Sequence, residues 1–195
     1  MAKPTVVQVV DASVIINLIA TQYVDEILDV LPGQIKVVDI VFGEIDDGRA
    51  KGLRDADTLK DLVSSNLVEV VALDATAETT FERLVSGAAH STLDDGEAAT
   101  IAYAAAKQLT IAVDDKNARR ICREHFPAIP LQSSGDILRH PAVEERLGKE
   151  RLAAAVLNAL QGARMRVLPE QLEWVIELIG KDVAATCRSL PQQRR

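Results

Sequence analysis

At residues 93–121 the chain reads LDDGEAATIAYAAAKQLTIAVDDKNARRI, in which acidic residues precede a helix and follow a strand. Alanine is dense from Asp95 to Lys107, which favours a helix that can approach a sheet closely. Leu109 to Val113 is a short apolar run typical of a buried strand, and Asp114 and Asp115 follow it directly. This stretch therefore predicts a helix–strand–helix unit that carries acids at the helix start and at the strand end.

A second acid leaves a strand in the same way near the amino terminus. Thr5 to Val10 reads as a buried strand, because its apolar residues are mostly β-branched and hardly alternate. Asp11 ends this strand. If it lies beside the strand that Asp114 ends, the acids converge, because ligands of open α/β sheets bind beyond the carboxyl ends of the strands.

Strands and helices alternate over the first two thirds of the chain, which predicts an α/β fold with a central, mostly parallel sheet flanked by helices. The remaining predicted strands are Ile35–Val38, Leu67–Leu73 and Ile129–Leu131. The remaining predicted helices are Val14–Ala20 with Ser13 as its N-cap, Tyr23–Leu31, one that carries Glu44, Leu53–Ser65, Ala75–Val85 and Asn117–His125.

From about Ser133 onward the pattern predicts helices only, namely Gly135–Arg139, Val143–Leu160 and Pro169–Thr186. We therefore predict one α/β domain over residues 1–132, a helical extension packed on it over residues 133–190, and a disordered tail over residues 191–195. A chain of 195 residues is long enough for one well-buried core.

The net charge of −7 is unevenly distributed. Residues 1–115 hold 8 Lys and Arg against 20 Asp and Glu, whereas residues 116–195 hold 14 against 9. The first half would repel a polyanion unless cations neutralised it. The second half offers Lys116, Arg119, Arg120 and Arg123 as phosphate contacts, although a solvated helix face explains them equally well. Aromatic residues make up only 3%, which argues against binding of single strands by extended base stacking.

The cysteine residues and the hydropathy of the sequence indicate the cellular compartment of the protein. Cys122 and Cys187 are far apart and lack metal-ligand or redox spacing, so we interpret both as small apolar side chains in a reducing setting. No signal peptide and no run long enough to span a bilayer is recognisable. We therefore expect a soluble, cytoplasmic protein with no membrane association.

The acids themselves predict a divalent metal site. Mg²⁺ and Mn²⁺ prefer hard oxygen ligands and keep several waters, so a few carboxylates at a crevice suffice. We predict Asp11 and Asp114 as direct ligands, because both lie at strand ends. Glu44 and Glu97 would complete or orient the ligand shell, although Glu44 could instead be a solvated helix residue. Asp94 is better explained as an N-cap of the following helix.

Three features together resemble the PIN-domain nucleases: VVDASVIINLI at residues 9–19, Glu44 after a second strand, and the stretch 93–121. The resemblance covers roughly residues 4–131 and is closest to the branch with a Gly-Glu-Ala helix and an Asp-Asp pair. It implies a PIN-like three-layer fold with catalytic acids at Asp11, Glu44, Glu97 and Asp114, and with metal ligands at Asp11, Glu97, Asp114 and Asp115.

The resemblance also implies a function. PIN-like proteins of this kind are metal-dependent endoribonucleases, often toxins that a partner antitoxin neutralises, and usually homodimers. We therefore expect a Mg²⁺- or Mn²⁺-dependent hydrolase that cuts RNA with an activated water and without a covalent intermediate. The chain departs from the family pattern at Val113, where many members have Thr, and in the length of its C-terminal helices.

Three further residues are predicted to contact substrate. Ser13 could bind a phosphate or a metal-bound water, although N-capping alone explains it. Asn17 shares a helix face with Ser13. Arg119 follows the acids closely enough to reach a phosphate, and a surface ion pair explains it equally well.

Two other functions stay open from the sequence. The chain could be a catalytically inactive PIN-like module that binds RNA or a protein. It could also be a phosphatase of the haloacid dehalogenase type, which begins with an Asp at the end of the first strand. That chemistry usually needs a second acid two residues later, where this chain has Ser13, and it leaves Glu44 and Glu97 without a role.

Overall fold

The computed structural model describes residues 9–49, 55–86 and 93–191. Its strands are β1 (Val9–Val10), β2 (Ile35–Val38), β3 (Val68–Val71), β4 (Ile111–Ala112) and β5 (Leu131–Gln132). Its helices are α1 (Ala12–Ala20), α2 (Val24–Val30), α3 (Asp39–Arg49), α4 (Asp55–Ser64), α5 (Ala75–Val85), α6 (Asp95–Lys107), α7 (Lys116–His125), α8 (Ser134–Leu138), α9 (Pro141–Gly162), α10 (Leu172–Ile179) and α11 (Lys181–Ala184), with a 3-10 turn at Pro169–Gln171.

The five strands form one sheet in the order β3-β2-β1-β4-β5, and every pairing is parallel. Val9 pairs with Ile111 and Val10 pairs with Ala112, so β1 and β4 are neighbours, which is the condition on which the predicted convergence of Asp11 and Asp114 depends. Strands β2 and β3 lie on one side of β1, whereas β4 and β5, which come later in the chain, lie on its other side. This reversal of strand order is where open α/β sheets place their ligand crevice.

Helix α6 brings the predicted acidic helix start against the sheet. It packs on β1, β2, β4 and the neighbouring helices α3 and α5. Its alanines are the reason for the close approach: Ala98, Ala99, Ala102 and Ala104 are fully buried. The α/β class predicted from the alternation of strands and helices is therefore confirmed, including helices that continue after β5.

The chain divides into two compact units. Unit 1 consists of residues 1–14 and 32–133 and contains the whole sheet. Unit 2 consists of residues 15–31 and 134–195, so the segment 15–31 groups with the C-terminal helices and not with the sheet. The division predicted at residue 132 remains a prediction, and residues 192–195 of the predicted disordered tail lie outside the described residues.

Unit 2 is held together by helix packing and by charge. Helix α9 packs on α2, α8 and α10. Arg146 and Arg151 of α9 both form ion pairs with Glu26 of α2, and Arg151 also lies over the ring of Tyr23, 4.8 Å from its centroid. Within the described part of the chain, no helix is both long and apolar enough to cross a membrane.

Several predicted boundaries change in the structure. Ser13 is not the N-cap of α1, because the helix begins at Ala12 and the side chain of Asp11 accepts hydrogen bonds from Ser13. The predicted helix over Pro169–Thr186 is interrupted at Gly180, whose φ of 87° is a left-handed conformation that favours glycine. Residues 5–8 of the first predicted strand, and residues 53–54 of a predicted helix, lie outside the described residues.

Candidate functional site

Asp11 lies between β1 and α1, at the carboxyl edge of the sheet. Its backbone N–H donates to the Ala112 carbonyl of β4 at 3.1 Å, which fixes the residue against the neighbouring strand. One carboxylate oxygen, Oδ2, accepts hydrogen bonds from the Ser13 hydroxyl at 2.7 Å and from the Ser13 N–H at 3.2 Å. Only 4% of Asp11 is exposed, and this burial raises its pKa although the Ser13 bonds act in the opposite direction.

Asp114 and Asp115 follow β4 and take different environments. Asp114 is buried, with 3% of its surface exposed, and lies just beyond the strand that pairs with β1. Asp115 is the N-cap of α7, and its Oδ1 accepts from the backbone N–H groups of Asn117 and Ala118 at 2.6 and 3.0 Å. The adjacent acids therefore differ in role: Asp115 begins a helix, whereas Asp114 is enclosed at the strand end.

Glu97 lies in the first turn of α6, behind the cap residue Asp94. The Asp94 carboxylate accepts the backbone N–H of Glu97 at 2.8 Å, which confirms the N-cap interpretation of Asp94. The Glu97 side chain is half-buried, and its pKa is raised to about 8. Burial is the largest cause of this rise, followed by the charges of Asp94, Asp115 and Asp11.

Glu44 reaches the same region from α3. Glu44 is exposed, but its carboxylate lies against the backbone of Gly96 in α6. A Cβ atom at Gly96 would lie 3.0 Å from Glu44 Cδ and closer still to Oε2, so only glycine leaves room for the carboxylate there. Desolvation raises the pKa of Glu44, the charges of Asp94 and Asp11 add to this, and a hydrogen bond from the Gly96 backbone opposes it.

These contacts show which of the predicted acids come together. Asp11, Glu44 and Glu97 each carry a raised pKa that includes repulsion from Asp94, and both glutamates also sense Asp11. They come from three separate elements that meet at the carboxyl edge of β2, β1 and β4. Carboxylates that raise one another's pKa favour either a shared proton or a bound cation.

The three residues predicted to contact substrate all form hydrogen bonds within the protein. Ser13 donates its hydroxyl to Asp11, so it orients that carboxylate. In unit 2, Asn17 is buried and its amide donates to the Ser134 hydroxyl at 3.1 Å. Arg119 is 5% exposed, and its Nη1 donates to the carbonyl oxygens of Val113 and Gln132 at 2.8 and 2.6 Å. Arg119 therefore ties together the ends of β4 and β5 and is not the surface ion pair considered from the sequence.

The residue that sequence reasoning missed is Gly96. In the sequence it is only one residue of a Gly-Glu-Ala motif, whereas in the structure the Glu44 carboxylate lies against it. A glycine in the first turn of an otherwise alanine-rich helix is a signal for close approach of another group. The identity of that group depends on a contact between residues 52 positions apart.

The donor chemistry of the site fits a hard divalent cation, because every predicted ligand supplies carboxylate oxygens. The described side chains do not form a preassembled ligand set: among residues 9–49, 55–86 and 93–191, no three His, Cys, Asp or Glu side chains form a group that could hold a metal ion. Binding of a cation would therefore require some of these side chains to rotate.

Comparison with known proteins gives one finding that agrees with this geometry. A family model described as PIN domain matches residues 7–181, which includes the whole sheet, all the acids described above and most of the C-terminal helices. Neither the comparison with curated proteins nor the comparison with solved structures gave a match.

Proposed function

The chain belongs to the PIN-domain family, and we propose from this premise that it is a metal-dependent endoribonuclease that hydrolyses RNA phosphodiester bonds. PIN domains are generally nucleases and typically use divalent metals. The observation that best supports the proposal is the meeting of Asp11, Glu44 and Glu97 at one sheet edge, where burial and the charge of Asp94 raise all three pKa values.

Each acid receives a role from its environment. Asp11 and Asp114 are buried at neighbouring strand ends, so they are the proposed direct ligands of Mg²⁺ or Mn²⁺. When bound, such an ion polarises a phosphoryl oxygen and lowers the pKa of a water molecule. Asp115 is a further proposed ligand, through the oxygen that does not cap α7.

The two glutamates are proposed to handle protons and orientation. Glu97 has a pKa of about 8, so its carboxyl group can take up or release a proton near neutral pH. Glu44 is held on the Gly96 backbone and faces the same acids, where it would orient water or complete the ligand set. Ser13 holds Asp11 in one orientation, and Asn17 and Arg119 keep the proposed substrate-binding roles predicted from the sequence.

The proposal also covers partners and location. The resemblance to toxin-like PIN proteins implies a homodimer and an antitoxin partner, and the two free, buried cysteines agree with a reducing, cytoplasmic location. Expression of the parent protein should then arrest growth of a bacterial host, and expression of an Asp11→Asn variant should not. Harmless expression of a protein that cleaves RNA in vitro would argue for RNA processing instead of a toxin role.

The central experiment is a cleavage assay on RNA with Mg²⁺ or Mn²⁺. We expect metal-dependent cleavage that falls at least about 100-fold in Asp11→Asn and in Asp114→Asn, because ligand loss costs at least as much as loss of a residue behind a ligand. Asp74→Asn is the matched control: it makes the same change in charge at another helix N-cap, outside the cluster of acids, and Asn caps a helix as well as Asp.

Two results would contradict the proposal. Cleavage that persists in EDTA would show that the reaction does not need a metal. Equal rates for the parent and Asp11→Asn would show that Asp11 does not take part in the chemistry. RNA binding without cleavage at any metal concentration would identify the chain as an inactive PIN module.

A further inference from the structure

Helix α7 carries a basic face and borders a cavity, and among the residues that line this cavity only Arg119 has a role in the function proposed above. We propose that they form a subsite for single-stranded RNA, in which Lys116 and Arg120 contact backbone phosphates and the cavity receives one nucleobase between Arg123 and Phe126. This inference rests on the proposed function, since it names how a single-stranded substrate would lie beside the acidic site.

The basic face leads away from the acids. Lys116, Arg120 and Arg123 are exposed, and their spacing of four and three residues places them on one side of α7. At 1.5 Å per residue the three side chains extend over about 10 Å of helix. Because α7 begins at Lys116, directly after Asp114 and Asp115, one end of this face adjoins the acids.

Arg120 can exchange its present partners for a phosphate. Arg120 pairs with Glu124 at 2.6 Å and with Asn117 at 2.8 Å, but about half of each charged side chain is exposed. Exposed pairs of this kind contribute little to stability, so a phosphate can replace Glu124 as the partner of Arg120 at little cost.

The cavity lies at the other end of the helix. It has a volume of about 290 Å³, and it is lined by the side chains of Cys122, Phe126, Ile129 and Leu131 together with the two arginines Arg119 and Arg123. Burial raises the pKa of Cys122 to about 12, so its thiol remains uncharged at neutral pH. A cavity of this size lies at the lower end of the range for small-ligand pockets, which suits one flat ring system.

Charge favours a nucleic acid over an apolar protein segment as the occupant. The chain has a net charge of −7, yet the exposed residues that lead from the acids to this cavity include three cations. An arginine beside an aromatic ring can stack on and hold a base without reading its identity. Because aromatic residues are scarce, at 3%, we expect one stacked base and not an extended stacked track.

The test measures RNA binding separately from cleavage. A fluorescent single-stranded RNA of about ten nucleotides, the length scale of such sites, is titrated with the full chain carrying Asp11→Asn, so that the RNA stays intact. A matched set of oligomers carries one abasic site at each position in turn. We expect one or two adjacent abasic positions to weaken binding about tenfold, because one stacking contact is lost.

Substitutions then assign that position to the cavity. Phe126→Leu keeps an apolar wall but removes the ring, so it should weaken binding of the intact RNA and abolish the positional effect. Arg120→Gln should reduce the slope of log affinity against log salt by about 0.7, the value for one phosphate contact with a single strand. Arg166→Gln, which removes an exposed arginine outside α7, should change neither quantity.

Three results would overturn the inference: no RNA binding, an abasic series in which all positions are equal, or a Phe126→Leu variant that changes self-association but not RNA affinity. Failure of the proposed function is distinguishable. RNA that is bound with the expected positional effect and never cut by the parent protein would overturn the nuclease proposal alone, and RNA that is cut while the abasic series is flat would overturn this inference alone.

Discussion

The Glu97 carboxyl group holds its proton to an unusually high pH because three other acids and partial burial oppose its ionisation. Its pKa is about 8 in the folded chain, against a usual value of 4.5. The folded state therefore binds a proton that the unfolded state has lost, and the free energy of unfolding must fall as pH rises from about 4.5 to about 8.

We expect Glu97→Gln to remove this loss of stability. In EDTA, urea unfolding of the variant and the parent should give similar free energies near pH 4.5, and the variant should be increasingly more stable toward pH 8. Glu82→Gln makes the same change in charge at an exposed position of α5 and should show no such widening. A difference between Glu97→Gln and the parent that is constant over this pH range would contradict the origin given for the pKa shift.

Substitution of Gly96 gives a second prediction at the residue scale, because it should affect stability and cleavage differently. In Gly96→Ala the three atoms nearest to the new methyl group all belong to the end of the Glu44 side chain, which is exposed and can swing away. Alanine also favours helix over glycine by about 1 kcal/mol, so stability should stay equal or rise. Cleavage should nevertheless fall about tenfold, because Glu44 loses its position beside the other acids.

A double-mutant cycle provides the check on Gly96→Ala. If the alanine acts by displacing Glu44, the combination of Gly96→Ala with Glu44→Gln should cleave RNA no more slowly than Glu44→Gln alone. Additive losses would mean that the alanine disturbs α6 itself, and the role of Gly96 as the resting surface for Glu44 would be wrong.

At the scale of the elements, the start of α7 combines a structural and a chemical role in adjacent acids. The Asp115 Oδ1 accepts two backbone N–H groups of α7. Asp115→Ala should therefore lower the free energy of unfolding by about 1 kcal/mol, whereas Asp115→Asn should change it little, because both Asp and Asn cap helices well.

The cleavage rates of the two Asn variants show which of the acids, Asp114 or Asp115, contributes more to catalysis. Asp115→Asn should reduce the rate less than Asp114→Asn, because one Asp115 oxygen is already committed to the helix. An equal or larger loss for Asp115→Asn, at unchanged stability, would make Asp115 the principal ligand of the pair.

The elements also show what the sequence could predict. Apolar runs that end in Asp11 and Asp114 predicted buried strands, and the rule for parallel sheets then predicted that the acids share an edge, which the pairing of β1 with β4 confirms. The alanines of α6 predicted its close packing on the sheet. These signals are local, because each depends on the residues of a single strand or helix.

The features that sequence could not predict depend on partners far along the chain. The position of Arg119, which joins the ends of β4 and β5, follows from the distance between two strand ends that no local pattern records. The grouping of residues 15–31 with the C-terminal helices follows from the packing of α2 against α9, a helix more than 100 residues away. The sequence predicts Ser13 as the N-cap of α1, but Asp11 takes the capping position and its carboxylate accepts the Ser13 N–H.

At the scale of the whole molecule, acids that repel one another reduce stability until a cation binds among them. Any ligand that binds only the folded state stabilises it by an amount set by its concentration relative to its dissociation constant, about 2.7 kcal/mol at a hundredfold excess. For a chain of this size such a gain corresponds to a rise of about 5–10 °C in Tm. We therefore expect Mg²⁺ to raise the Tm of the parent and of Asp74→Asn, but not that of Asp11→Asn.

The pH dependence of this stabilisation distinguishes binding at the acids from general screening of a chain with a net charge of −7. Mg²⁺ must displace the proton that Glu97 holds below about pH 8, so the rise in Tm should be small near pH 6 and grow toward pH 8. Screening has no such dependence on one proton, and NaCl of equal ionic strength should reproduce only the part of the effect that Asp11→Asn retains. A rise that is equal in NaCl, or equal in Asp11→Asn, would show that the acids meet without binding a cation. The nuclease proposal would then lose its chemical basis although the family assignment would stand.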